Sequence, residues 1–173
     1  MTFIRQTLLG LVIFLAAPSG AMAKNGDSPP NPFVHKGTCP FECCTYRDWK
    51  TLKKVTLLDK PKGTRKIVDI GKGKIVRGVT GVVYSRPIRL VATHAYEDSP
   101  IKKGELFYAL HGVGEGFWAV WYRGKVYSVD FSSESETILD AADPKWWVKI
   151  RARNGKSGWV LNRDQFGNQD ACG

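Results

Sequence analysis

The chain has 173 residues, 26 Lys and Arg against 16 Asp and Glu, a formal charge of +10, 43% hydrophobic residues and four Cys. These figures exclude a disordered chain, a multi-span membrane protein and a large catalytic barrel. Eighteen Gly and nine Pro, set among short runs of β-branched and aromatic residues, favour an all-β protein over a helical bundle.

Residues 1–23 read as an export signal. Arg5 supplies a positive start, residues 8–17 form an apolar run, Pro18 and Gly20 break it, and Ala21-Met22-Ala23 has the A-x-A form of a signal-peptidase site. The run is about half the roughly 20 residues that a membrane span needs. Cleavage before Lys24 leaves 150 residues, and loss of Arg5 lowers the formal charge from +10 to +9. The expectation is a periplasmic or secreted protein with no stable membrane insertion.

Residues 24–45 form a leader and a Cys-rich segment. The leader, 24–32, is made of turn formers, K-N-G-D-S-P-P-N-P, and is expected to be mobile. Cys39, Cys43, Cys44 and Cys172 all follow the signal, and an even count in an oxidising compartment reads as two disulfides. Cys43 and Cys44 are adjacent and would need a strained ring to pair with each other. Cys39 therefore pairs with one of them and Cys172 with the other. A bridge to Cys172 closes a loop of roughly 130 residues, worth about 4 to 5 kcal/mol by loop-closure entropy. The C-x-x-x-C-C spacing lacks the C-x-x-C pairs of zinc sites, and His35, His94 and His111 are far apart, so no metal or other cofactor is expected.

Strand-type runs then recur at 54–58, 65–70, 74–83, 88–93, 105–110, 117–122, 125–129, 146–151 and 157–160. The breaks carry turn residues: Lys60-Pro61-Lys62-Gly63, Gly71-Lys72-Gly73, Lys103-Gly104, Arg123-Gly124 and Asn154-Gly155. Asn-Gly between two strands is a strong hairpin signal, because both residues tolerate positive φ. Only 134–142 has helical character, enough for one short turn.

The grammar of these runs resembles a known family. Leu57-Leu58-Asp59-Lys60-Pro61, followed by Ile67-Val68-Asp69-Ile70-Gly71-Lys72-Gly73-Lys74-Ile75-Val76, is similar to the first half of a bacterial SH3-like (SH3b) domain. The second half resembles Trp147-Val148-Lys149-Ile150, Asn154-Gly155-Lys156 and Gly158-Trp159-Val160, far downstream. Between them runs a second stretch of the same grammar: Pro87-Ile88-Arg89-Leu90, Ile101 to Phe107, Gly116 to Tyr122 and Gly124-Lys125-Val126. The resemblance implies an all-β fold of two small SH3-like barrels packed together, either one nested in the other or the two in sequence. The first would take residues 46–85 with 145–166, the second 86–130, and 167–173 would be a C-terminal tail carrying Cys172. It lends no catalytic residues, and Trp159 is left between core and surface: Trp159→Ala is expected to cost roughly 3 to 5 kcal/mol if the ring is in the core and nothing if it is on the surface.

Other constellations carry little chemistry. Gly112-Val113-Gly114-Glu115-Gly116 precedes a strand-like run instead of a helix, so it reads as a hairpin loop and not a dinucleotide site. Glu97 with Asp98, and Glu134 with Glu136, sit in loop-like segments and offer no acid–base pair. The protein is read as non-enzymatic.

Aromatic residues and charge give the functional expectation. In Phe117-Trp118-Ala119-Val120-Trp121-Tyr122 alternation puts Trp118, Val120 and Tyr122 on one face and Phe117, Ala119 and Trp121 on the other, and both faces are apolar. Trp146-Trp147 poses the same problem. One face fills a core; the other packs on a neighbouring unit or lines a groove. The candidate groove residues are Trp118, Trp146, Tyr84, Tyr108 and Tyr127. Basic residues crowd residues 47–77, a surface suited to anionic polymers. For an exported chain these are peptidoglycan or an envelope peptide or protein, not nucleic acid. Two other readings are a secreted effector or inhibitor that binds a protein partner, and an accessory subunit of a cell-wall hydrolase.

Overall fold

The structure, a computed structural model, describes residues 28–131 and 141–172. The expected export signal lies outside these residues, as does most of the helical turn read at 134–142. The described residues form an all-β architecture of two sheets. The larger contains β1 (Phe33–Lys36), β2 (Asp48–Thr51), β3 (Val55–Leu58), β4 (Lys66–Ile70), β5 (Ile75–Ser85), β10 (Lys145–Ala152), β11 (Ser157–Leu161) and β12 (Phe166–Gly167). The smaller contains β6 (Ile88–Val91), β7 (Leu106–Gly114), β8 (Phe117–Tyr122) and β9 (Lys125–Asp130). The chain thus leaves the larger sheet after β5, builds the smaller one, and returns at β10.

The larger sheet is a curled half-barrel of order β12-β2-β5-β10-β11-β3-β4, with β1 also on β5. The eleven-residue β5 organises it. One edge of β5 pairs first with β2, Asp48 opposite Arg77, and then with β1, Phe33 opposite Ser85. The other edge pairs with β10 along its length, with a bulge at Lys149/Ile150. Curvature encloses a core of Trp49, Leu57, Val76, Val83, Val148 and Ile150. Two glycines in β5 let large aromatic side chains close on its backbone. A Cβ on Gly78 would meet the Trp49 ring at 2.8 Å, and one on Gly81 would run into Tyr46 Oη and Trp146 Nε1.

The smaller sheet is an antiparallel meander, β6-β7-β8-β9. At its Arg123-Gly124 hairpin both loop residues have positive φ, 48° and 83°, so the read signal becomes a type I′ turn. Asn154-Gly155 differs: only Gly155 has positive φ, 81°, and Ala152 N–H donates to the Lys156 carbonyl. This is the three-residue hairpin with glycine in the left-handed position.

Both faces of β8 are covered, as its composition demands. Trp118, Val120 and Tyr122 enter a core with Phe107, Tyr96 and Phe131. Ala119, with Leu110 and Trp121, meets Phe33 of β1 on the opposite face, the Phe33 and Trp121 rings 5.8 Å apart. Next to Phe33 on the same side of β1, His35 Nδ1 lies 2.9 Å from Nε2 of the fully buried His111 on β7. β1 therefore belongs to the larger sheet by its backbone and grips the smaller one with its side chains. The strand falls in the stretch read as leader and Cys-rich segment, and Ser28, within the read leader, bonds Tyr108 Oη at 3.0 Å.

Cys39 pairs with Cys44 and Cys43 with Cys172, Cα atoms 5.6 Å apart in each pair. Positive φ at Cys43, 52°, lets adjacent cysteines diverge toward different partners. The chain end runs antiparallel to residues 43–51: Ala171 N–H donates to the Cys43 carbonyl, Thr45 N–H to that of Gln169, and β12 pairs with β2. Cys172→Ser is therefore expected to lower unfolding stability by about 2–5 kcal/mol, since the bridge closes a loop spanning 129 residues. Urea titration of the oxidised protein reads this, and an unshifted midpoint would show that the strand pairing alone holds the chain end.

Candidate functional site

The five aromatic residues read as a groove do not come together. Trp118 is 3% exposed in the core of the smaller sheet, and Trp146 is 8% exposed in that of the larger, against Phe41, Tyr46 and Trp49. Tyr127 packs beside Trp118's core, 6.4 Å from Tyr122, while Tyr108 stands opposite Trp121 on the other face of that sheet. Tyr84 lies on the larger sheet, with Lys62 Nζ 4.0 Å from its ring centroid. The physical reason is that both faces of β8, and the inward position on β10, are claimed by cores, leaving no ring of Trp118 or Trp146 for a ligand.

Alternation along β10 and β11 identifies what is left outside. Trp146, Val148 and Ile150 point into the half-barrel, so Trp147, Lys149 and Arg151 point out. On β11 Gly158 and Val160 are buried, so Ser157, Trp159 and Leu161 share that outer face. The register sets Trp147 opposite Leu161 and Lys149 opposite Trp159. Gly158 is what lets this happen, because a Cβ there would stand 2.8 Å from the Leu58 carbonyl and hold β11 off β3. Trp159 is thus partly buried on the outer surface and not in the half-barrel core.

Across β5 the same face continues through Val82, opposite Trp147, to Tyr84, opposite Lys145. Phe33 and His35 occupy the other side of β1, so the smaller sheet packs on the inner side and not on this face, although Val82 within it is only 4% exposed. Near Tyr84 it ends in a hollow of about 240 Å³ lined by Pro32, Lys62, Arg86 and Lys145. Lys145 is paired with Asp143 at 2.5 Å, whereas Lys149 has no ion pair among the described residues. The face thus combines two indoles, a phenol and the ammonium group of Lys149. Sequence reasoning passed over Trp147 and Trp159 and chose Trp146. The signal that separates them is parity: on one strand only one member of Trp146-Trp147 faces the core, and Val148 and Ile150 side with Trp146.

A second concavity opens at the seam where β4 and β5 follow each other without pairing. It holds about 610 Å³ over Val68, Ile70, Ile75 and Val76, with Lys74, Arg153 and Asn154 at its rim. Asp69 also lines it but is engaged by Lys54 at 3.1 Å, Lys66 at 2.5 Å and Thr56 Oγ1 at 2.8 Å. These bonds, led by those from Lys66 and Thr56, hold its carboxyl far below the usual range.

Near the disulfides, Glu42 comes within 4.8 Å of the Cys43 and Cys172 sulfurs, but both sulfurs are bonded to each other and unavailable to a metal. Partial desolvation, then the neighbouring Glu115, raises the Glu42 pKa.

Among the described residues no helix is long and apolar enough to cross a membrane. The disulfides are compatible with an oxidising, exported location. Comparison of the chain with protein-family models, with curated proteins and with solved structures returns no match.

Proposed function

We propose that this chain is an exported, non-catalytic binding module, SH3-like in the sense of its Trp-x-Lys and Gly-Trp-Val motifs, that attaches to peptidoglycan through the outer face of β10 and β11. One observation carries the reading: Trp147 and Trp159 stand half-buried on one sheet face beside Lys149, which has no acidic partner among the described residues. Flat indole surfaces suit sugar rings, and an unpaired ammonium suits the carboxylates of stem peptides. The fixed sheet spends little conformational entropy in presenting them.

Co-sedimentation of the mature protein with isolated sacculi tests the proposal. Wild type is expected to pellet at low and at high salt. Trp147→Ala with Trp159→Ala should lose the salt-resistant part, with affinity down about tenfold or more, and Lys149→Gln should lose mainly the part present at low salt. Pelleting that the tryptophan pair does not alter, or none at either salt, removes peptidoglycan as the ligand.

A further inference from the structure

Arg77 and Arg151 stand directly opposite each other in the register of β5 and β10. Like charges in that position repel, and a sheet gains nothing from them. Among the described residues the one carboxylate paired here is Asp48, opposite Arg77 on the other edge of β5, with Oδ1 3.5 Å from Arg77 Nη1. Of the two guanidinium groups only that of Arg77 thus has a carboxylate, and it is an exposed one. Arg153 and Lys74 add two more cations at the same end of the sheet, and among the described residues neither of these, nor Arg151, makes an ion pair.

These cations surround a cavity with an apolar floor. Arg77 and Arg151 line a hollow of about 270 Å³ that shares Ile75, Val76, Ala152 and Arg153 with the 610 Å³ seam cleft. The floor, Val68, Ile70 and Val76, is the inner surface of the half-barrel where β4 fails to meet β5. The cleft falls within the size range of small-ligand pockets, about 300–1,000 Å³.

We propose that this seam binds the phosphate head of an anionic amphiphile. Arg151, Arg153 and Lys74 receive the head, and the partly exposed Val68 and Ile75 on the cleft wall receive its hydrocarbon stem. Three unpaired cations match a phosphate monoester better than a single carboxylate, and a guanidinium can meet two phosphate oxygens at once. Arg151 lies at the far end of the outer face of β10, but Trp147, Trp159 and Lys149 line neither hollow, so the peptidoglycan reading and this one are tested by different substitutions.

Isothermal titration of the full mature protein tests it with three soluble probes: dihexanoyl phosphatidate, dihexanoyl phosphatidylcholine and inorganic phosphate. Phosphatidate is expected to bind about tenfold or more tighter than either of the others, because only it supplies both head and stem. R151Q/R153Q should weaken it about tenfold, and R151K/R153K should recover only part, since charge returns without the planar fork. R89Q/K125Q removes the same charge from the smaller sheet and should change nothing. Sedimentation with phosphatidylcholine vesicles, with and without phosphatidate, then shows whether the head is also taken from a bilayer. Lys74→Gln repeats the test should the arginine pair lower the melting temperature. No binding of phosphatidate overturns the proposal, as does equal affinity for inorganic phosphate or an equal loss in R89Q/K125Q.

Discussion

Trp49→Ala is expected to lower the unfolding free energy by about 3–5 kcal/mol, the range for deleting a large aromatic ring from a core that cannot collapse around the space. The ring is fully buried and touches three others, with centroids 5.8 Å from Tyr46, 6.2 Å from Trp146 and 5.4 Å from Phe166. Collapse is blocked on the remaining side, because the ring already lies on the bare backbone of Gly78. The substitution also leaves the Thr45 carbonyl without the indole N–H that donates to it at 2.9 Å. Because Trp49 joins β2 to β5 and β12, the loss should be felt by the whole half-barrel. For a domain of this size it corresponds to a fall of roughly 10 °C in melting temperature. Trp159→Ala provides the comparison, at about 1–2 kcal/mol, since that ring is only partly buried on the outer face. Thermal unfolding followed by near-ultraviolet circular dichroism reads both, and a larger loss in Trp159→Ala would reverse the inner and outer assignments on β11.

That contrast shows where sequence reasoning reached and where it stopped. Period-two alternation, with Gly and Pro breaks, located strands close to β3 through β11, because each presents enough β-branched or aromatic residues to mark itself. β1, β2 and β12 went unread. Phe33–Lys36 and Asp48–Thr51 are four residues each and Phe166–Gly167 two, set among Pro, Cys and charged neighbours. They exist because β5 offers an edge and because Phe33, Trp49 and Phe166 have cores to enter. Such strands are made by tertiary contact and leave little local trace. The disulfide arithmetic narrowed the pairings to two, and only the course of the chain beyond β12 selects Cys43 as the partner of Cys172. The site was harder still. A pair of adjacent tryptophans announces one outward ring, but which one depends on what the neighbouring strands bury. The two histidines that meet at 2.9 Å are separated by 76 positions, beyond the reach of any spacing rule.

Acidification from pH 6.5 to 4 is expected to remove about 3 kcal/mol of stability through those histidines. The tautomers are forced. The Gly112 carbonyl can only accept, so His111 Nδ1, 2.9 Å away, carries the proton and donates. Nε2 of His111 is then the acceptor, and His35 Nδ1 must donate to it. A second proton on His111 would have to enter at Nε2, where it faces the His35 N–H with no compensating carboxylate among the described residues. Phe33 and Ala119 complete the apolar surroundings. Burial therefore drives the His111 pKa down to about 4, and His35 is lowered for the same reason. In the unfolded chain the imidazole titrates near 6.5. Between these values the unfolded state binds the proton and the folded state does not, so stability is complete above about pH 6.5 and declines as pH falls to 4. The window separates this effect from the carboxylates. Asp69 and Glu105, both lowered by their hydrogen bonds, lose their contribution only as pH drops below about 4.5. Glu42, whose pKa is raised, acts in the opposite sense and favours the folded state as pH falls. Urea midpoints at half-unit steps of pH should follow this curve in wild type and flatten between 6.5 and 4 in His111→Phe, which cannot titrate. A slope that persists in the variant would assign the acid sensitivity elsewhere. A slope that vanishes would show that the contact between the two sheets is itself the element that acid loosens first, because His35 belongs to the strand that grips the smaller sheet and His111 to the strand that is gripped.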